Sequence, residues 1–183
     1  MIRNIFANHG ITITEEQEQK LNQYYDLLID WNNKINLTSI VEYEEVIWKH
    51  FLDSAFFVSC DKVDLKEKKT VLDLGTGAGF PGMVLAILCP DYEFVLADSL
   101  NKRIEFLKVV INRLQIHNVS VIHGRAEELG RNENFRNQFD YVVSRAVAEL
   151  PVLLEYCIPF VKKGGYFVSY KSRRLDEEIE NAE

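Results

Sequence analysis

The chain has 183 residues, 47% hydrophobic and 27% charged, enough for one substantial core and unlike a disordered or fibrous protein. Its net charge of −7 argues against coating nucleic acid by charge alone. Residues 70–175 nevertheless carry 13 basic against 11 acidic side chains, so a local basic face remains open. The apolar run Met83–Cys89 is far too short to span a bilayer. Glu15, Glu16 and Glu18 interrupt the N-terminal stretch, and no secretory signal is expected. Cys60, Cys89 and Cys157 form no Cys-x-x-Cys pair and read as reduced, mostly buried thiols of a cytoplasmic protein. The four histidines are scattered, and no metal site is expected.

Thr14-Glu15-Glu16-Gln17 fits a capping box, in which the Thr hydroxyl and Gln amide satisfy free groups of a first helical turn. Behind it Leu21, Tyr24, Tyr25, Leu28 and Trp31 recur at helical spacing, with Trp31 expected in the core. A second helix is predicted over residues 42–58, with Ile47, Phe51, Ala55 and Val58 on one face. The charged stretch 61–69 reads as a linker, which divides a helical subdomain (1–65) from the rest (66–183). From Thr70 onward short apolar runs alternate with helical patterns. Strands are predicted at 71–74, 94–97, 119–122, 141–143 and 166–168, with helices near 83–89, 103–114 and 151–160. This alternation gives a doubly wound α/β fold, a mostly parallel sheet with helices on both faces.

The stretch from Asp73 to Gly82 places four glycines at a strand–helix junction, where a nucleotide-binding loop must sit. Two glycine sets compete. Gly77-x-Gly79-x-x-Gly82 matches the dinucleotide fingerprint, whereas Gly75-x-Gly77-x-Gly79 is better placed for a strand ending at Leu74. The second strand ends in Asp98 and Ser99, and a carboxylate there can accept hydrogen bonds from both hydroxyls of a ribose. That acid suits NAD and S-adenosylmethionine equally; alternatively it serves the start of the next helix. Ala126-Glu127-Glu128, taken alone, reads as a helix start.

Four segments together carry a closer match: Trp31-Asn32-x-x-Ile35-Asn36-Leu37-Thr38-x-Ile40, His50-x-x-Asp53-Ser54, Asp73 through Gly82, and Ser144-Arg145-Ala146. In order and spacing they resemble the RsmG (GidB) family of bacterial small-subunit (16S) ribosomal RNA guanine-N7 methyltransferases. The resemblance implies a Rossmann-like methyltransferase domain behind an N-terminal helical extension, and S-adenosylmethionine as cofactor. It also implies a cytoplasmic enzyme acting on small-subunit ribosomal RNA or a ribosomal particle, with no membrane. Its cofactor contacts fall on Gly75, Phe80, Ala126, Glu127 and Arg145, and Asp98 and Ser99 match its acid-ended second strand; Gly77 and Gly79 complete the expected cofactor loop. The resemblance further implies seven strands, two more than the five read here. The chain thus looks shortened at its C-terminus, with an exposed fifth strand that invites self-association and impairs activity.

Guanine N7 carries its own lone pair, so no catalytic base is expected, and positioning is expected to supply the rate. Arg145 is expected near cofactor and substrate, or else in an ion pair with Asp98 or Glu127. His50 and Asp53 are expected to share a hydrogen bond that docks the N-terminal helices. Asn36-Leu37-Thr38 is expected to cap the second helix or shape a pocket lip. Lys102, Arg103, Arg125, Arg131, Arg136, Lys171, Arg173 and Arg174 are the candidate RNA contacts. An NAD-dependent oxidoreductase and a non-catalytic nucleotide sensor remain as rival readings.

Overall fold

The computed structural model describes residues 1–145 and 148–170. Among the described residues five strands form one sheet: β1 (Thr70–Leu74), β2 (Glu93–Asp98), β3 (Val119–His123), β4 (Phe139–Arg145) and β5 (Val161–Tyr170). All their pairings are parallel and their order is β3-β2-β1-β4-β5, so the chain starts in the middle and winds outward in both directions. The helices are α1 (Ile2–Ala7), α2 (Glu15–Ile35), α3 (Tyr43–Val46), α4 (Asp53–Ala55), α5 (Gly82–Leu88), α6 (Asn101–Leu114), α7 (Ala126–Leu129) and α8 (Leu150–Cys157). None of them is long and apolar enough to cross a membrane.

Side chains alternate across each strand, and this parity decides which layer a residue meets. Val71, Phe94, Leu96, Tyr141 and Val143 face one side, in a single hydrophobic cluster with residues of α1, α2, α5 and α6. Leu72, Leu74, Ala97 and Val142 face the other, against Leu153, Cys157 and Phe160. The N-terminal helices therefore share the core of the sheet.

The predicted capping box is present: Gln17 N donates to Thr14 Oγ1 at 3.1 Å, and Thr14 N donates to Gln17 Oε1 at 2.9 Å. The Gln17 amide also donates to the carbonyls of Ile87 (3.0 Å) and Leu88 (3.1 Å), so one side chain starts α2 and finishes α5. Of the predicted apolar stripe, Leu21, Tyr24 and Leu28 are buried, whereas Trp31 is only partly covered and lies 5.7 Å from the Phe106 ring.

The second predicted helix is not one regular helix. Between α3 and α4 lies a π-helical turn (Ile47–Leu52), and a 3-10 turn (Phe56–Ser59) follows α4. Ile47, Phe51 and Ala55 are buried as the spacing predicted, while Val58 is half-buried. Helix α1, with six residues, escaped the sequence pattern for lack of length, whereas the helix start read at Ala126 is present as the four-residue α7. Strand β5 begins five residues earlier than predicted because Gly164 and Gly165 let it enter the sheet irregularly. Its register jumps from Phe139↔Val161 to Tyr141↔Tyr166, and a Cβ on Gly165 would lie 2.6 Å from the Asp140 carbonyl oxygen.

Candidate active site

The loop after β1 sits at the C-terminal edge of the sheet, where parallel α/β folds bind ligands. Gly75, Gly77 and Gly79 all have positive φ (71°, 61° and 100°), the left-handed backbone that glycine adopts without a Cβ penalty. The alternating set is therefore the one that the turn itself requires. Gly82 is needed for a different reason: a Cβ there would lie 2.7 Å from Asp73 Oδ2.

Asp73 closes the loop from beneath. Its Oδ2 accepts from Thr76 Oγ1 and from Gly82 N, each at 2.7 Å. Among the described residues Oδ1 has no partner, and the side chain is fully buried. Burial pushes the carboxyl up to about 6, against the two hydrogen bonds. From above, the buried Tyr24 hydroxyl of α2 donates to the Ala78 carbonyl oxygen. Neither residue was singled out for the site from sequence. Asp73 was visible as the acid before the glycines, whereas Tyr24 looked like one more member of an apolar stripe.

A cavity of about 300 Å³ opens beside the loop and brings together Gly75, Asp98, Ser99, Ala126 and Glu127, all predicted from the sequence. Tyr156 of α8 and Arg125 complete its wall. Tyr156 carried no motif and had no signal in the sequence. A larger groove of about 710 Å³ lies at the opposite end of β2 and β3 and includes none of the glycine-loop residues.

The Asp98 carboxylate is buried and already engaged. Oδ2 accepts from Gly77 N (2.9 Å), Oδ1 accepts from Leu100 N (2.9 Å), and Arg103 Nη1 approaches Oδ2 at 3.2 Å. It thus joins the glycine loop to the turn after β2. Arg136 donates to the Gly130 carbonyl at 3.0 Å, while Lys102, Arg125 and Arg131 are exposed. Lys171, Arg173, Arg174, the acidic tail and Ala146 of the Ser-Arg-Ala motif lie outside the described residues.

Gly77, Gly79, Phe80 and Arg145 do not line that cavity. Arg145 shares the strand parity of Tyr141 and Val143, so it leaves β4 on the side of the N-terminal helices. Its guanidinium donates to Asp53 Oδ2 (2.8 Å) and to the Lys49 carbonyl (3.2 Å), and lies 5.2 Å from the centre of the Phe80 ring. The predicted partner acids, Asp98 and Glu127, stand elsewhere. The expected hydrogen bond between His50 and Asp53 is likewise replaced, because the π turn and Arg145 intervene. His50 Nδ1 lies 3.2 Å from Arg145 Nη2 and its Nε2 lies 2.9 Å from Thr38 Oγ1. The imidazole stacks on Phe80, with centroids 4.4 Å apart and planes 18° from parallel. Thr38 is delivered by the Asn36-Leu37-Thr38 segment, which ends α2 at Asn36 instead of capping the second helix, whose N-cap is Glu42. Asn36 is left-handed, and Asn32 Oδ1 accepts from the amides of Leu37 (2.6 Å) and Thr38 (2.8 Å). Burial, with Arg145 next in weight, holds the His50 pKa down at about 4.

Two predictions follow from this geometry. A Cβ on Gly79 would press on the Tyr24 hydroxyl and lie 2.9 Å from Leu107, whereas a Cβ on Gly77 meets nothing within 4 Å. Gly79→Ala should therefore cost about 3 kcal/mol or more, and Gly77→Ala about 1 kcal/mol, in chemical denaturation. The second concerns pH. Asp73, with its folded pKa raised from 3.8 to about 6, contributes stability that is full below pH 3.8 and lost as pH rises through 6. His50, lowered from 6.5 to about 4, contributes stability that is full above pH 6.5 and lost as pH falls through 4. Between these limits the two oppose each other. Relative to wild type, Asp73→Asn should steepen the rise of the urea midpoint from pH 4 to 6, and His50→Asn should flatten it; parallel curves for all three proteins would contradict both assignments.

Residues 17–183 match the family described as GidB: rRNA small subunit methyltransferase G. The chain is 55% identical over 174 residues to the ribosomal RNA small subunit methyltransferase G of Lachnoclostridium phytofermentans, covering 95% of this chain and 71% of that protein. It is 53% identical to the protein of the same name from Alkaliphilus metalliredigens, covering 95% of this chain and 72% of that one. Among solved structures, a SAM-dependent methyltransferase from Aquifex aeolicus superposes with a TM-score of 0.56 at 19% identity, covering 77% of this chain and 82% of that one. Coclaurine N-methyltransferase, bound to N-methylheliamine and SAH, gives 0.55 at 16%, covering 80% and 42%. These structures are alike in fold. Together with the glycine loop and its buried acid, the sequence matches establish that this chain belongs to the GidB family of small-subunit rRNA methyltransferases.

Proposed function

We propose that this protein transfers a methyl group from S-adenosylmethionine to N7 of a guanine in small-subunit (16S) ribosomal RNA, in the cytoplasm. The family membership supports the reaction class, and the cavity at the C-terminal edge of β1, β2 and β3 is the observation that carries the site. The residues present fit the cofactor. Gly77 has open space in front of it, Asp98 lies at the end of β2, and the exposed Glu127 stands on the rim. Asp98 would hold the ribose hydroxyls by giving up its longest contact, the one to the half-exposed Arg103, while keeping the two backbone amides that fix it. Ala126, Glu127 and Tyr156 would enclose the base, with Ser99 beside them, and Phe80 and Arg145 would form the far end of the site. In this reading residues 66–183 are the cofactor-binding unit and residues 1–65 a helical subdomain docked on it.

S-adenosylmethionine supplies an electrophilic methyl group on a sulfonium centre. Guanine N7 has an in-plane lone pair and loses no proton on attack, so the reading assigns no general base. The protein's task is to orient the two reactants and exclude water, which can supply most of the acceleration. An RNA major groove hides N7, so the target guanine must be unpaired or extruded. Exposed Lys102, Arg125 and Arg131 are the described candidates for phosphate contacts.

Mass mapping of ribosomal RNA after incubation with protein and S-adenosylmethionine should reveal one new N7-methylguanine in the small subunit. Asp98→Asn should weaken cofactor binding by about tenfold, as expected for a lost charged hydrogen-bond acceptor. Heat from titration with NAD, and none with S-adenosylmethionine, would replace this reading by the dinucleotide one. Assembly belongs to the same proposal: among the described residues β5 is hydrogen-bonded on its β4 side only. That edge suits pairing with a second copy. Sedimentation equilibrium should then give a mass that rises with concentration, whereas a constant monomer mass removes the idea.

A further inference from the structure

The proposed cofactor contacts Phe80 and Arg145 are both held by one side chain that neither the motif reading nor the cavity assigns to the site. His50 touches each in a different way: it stacks face to face on Phe80, and its Nδ1 faces Arg145 Nη2. Nδ1 stands 3.2 Å from Arg145 Nη2, which can only donate, and 3.2 Å from the Lys49 carbonyl oxygen, which can only accept; accepting from the guanidinium leaves the proton on Nε2. Nε2 then donates to Thr38 Oγ1, which also accepts from Ile40 N at 3.1 Å. The Nε2-protonated tautomer is the one that serves Arg145 and Thr38 together. Asp53 holds the other side of the guanidinium, so Arg145 is gripped between a carboxylate and a neutral imidazole.

We propose that His50 is a positioning residue for methyl transfer, its neutral ring fixing Arg145 and Phe80 through one accepted hydrogen bond and one stacking contact. The proposal rests on the functional reading above, in which Phe80 and Arg145 border the cofactor. Among the described residues the charged groups around the ring are Arg145 on β4, Asp53 on α4 and the neighbouring Lys49, and Phe80 covers one face. Protonation of Nδ1 would turn the acceptor into a donor facing a cation. Burial and Arg145 suppress that protonation down to about pH 4, so the grip persists through the neutral range.

The test pairs two substitutions. His50→Phe keeps the stacking ring and deletes the acceptor; His50→Asn loses the ring and keeps an oxygen near the Nδ1 position. S-adenosylmethionine binding by calorimetry and kcat with small-subunit particles are measured for both, alongside melting temperature. The expected result is a loss of about tenfold or more in affinity or kcat for His50→Phe at an unchanged melting temperature, as for removal of a hydrogen bond to a charged group. His50→Asn should recover most of it. Wild-type-like behaviour of His50→Phe overturns the proposal, and so does equal loss in both variants, which would make the ring's packing the whole effect. A second measurement does not depend on how the variants fold. The nitrogen-15 shifts of His50 in the wild-type protein should report the Nε2-protonated neutral tautomer, unchanged from pH 5 to 8; the other tautomer, or titration in that range, overturns the assignment. Failure of the wild-type protein to bind S-adenosylmethionine at all would instead sink the functional reading, a different outcome from any of these.

Discussion

A carboxylate buried at the end of the central strand sets the rest of the site. Asp73 Oδ2 ties the Thr76 hydroxyl at one end of the glycine loop to the Gly82 amide at the start of α5. An ionised oxygen buried this way is costly unless several donors converge on it, and both donors lie in the segment that must turn sharply. The loop geometry and the buried acid therefore require each other. Gly82 has no Cβ because the carboxylate occupies that space, and the intervening glycines are left-handed because the chain must return to the same oxygen.

The N-terminal helices are part of this arrangement. Tyr24 reaches from α2 across 54 residues of sequence to the Ala78 carbonyl, and its ring packs against Phe51, Phe80 and Phe106. Gln17 finishes α5, the helix that the loop begins. Asn32 shapes the turn that carries Thr38 to His50. Three residues spaced along one amphipathic helix thus reach the far end of α5, the glycine loop and the arginine clamp. This places the helical layer against Phe80 and Arg145, while the cavity is built from the loops after β1, β2 and β3.

Much of this was legible in sequence. Strand–helix alternation gave a parallel sheet, and local donors and acceptors gave the capping box, because such features depend on neighbours within a few residues. The preference for Gly75, Gly77 and Gly79 over the dinucleotide set followed from the strand ending at Leu74. The division of the site into two regions was not read. The alternative reading of Arg145, an ion pair with Asp98 or Glu127, overlooks its parity with Tyr141 and Val143, which directs it to the opposite face. The irregular helix over residues 43–59 was also missed, since its apolar spacing fits a regular helix nearly as well and only hydrogen bonding separates the two.

By itself, the sequence determined the element types, the glycine turn, the acid at the end of β2 and the family to which the chain belongs, because these reside in residue identity and short spacing. Only the tertiary structure decided that Tyr156 walls the cavity and that His50 reaches Asp53 through Arg145. Each of those contacts joins segments from different layers or opposite faces, and no local pattern encodes the distance between such segments until the sheet has brought them together.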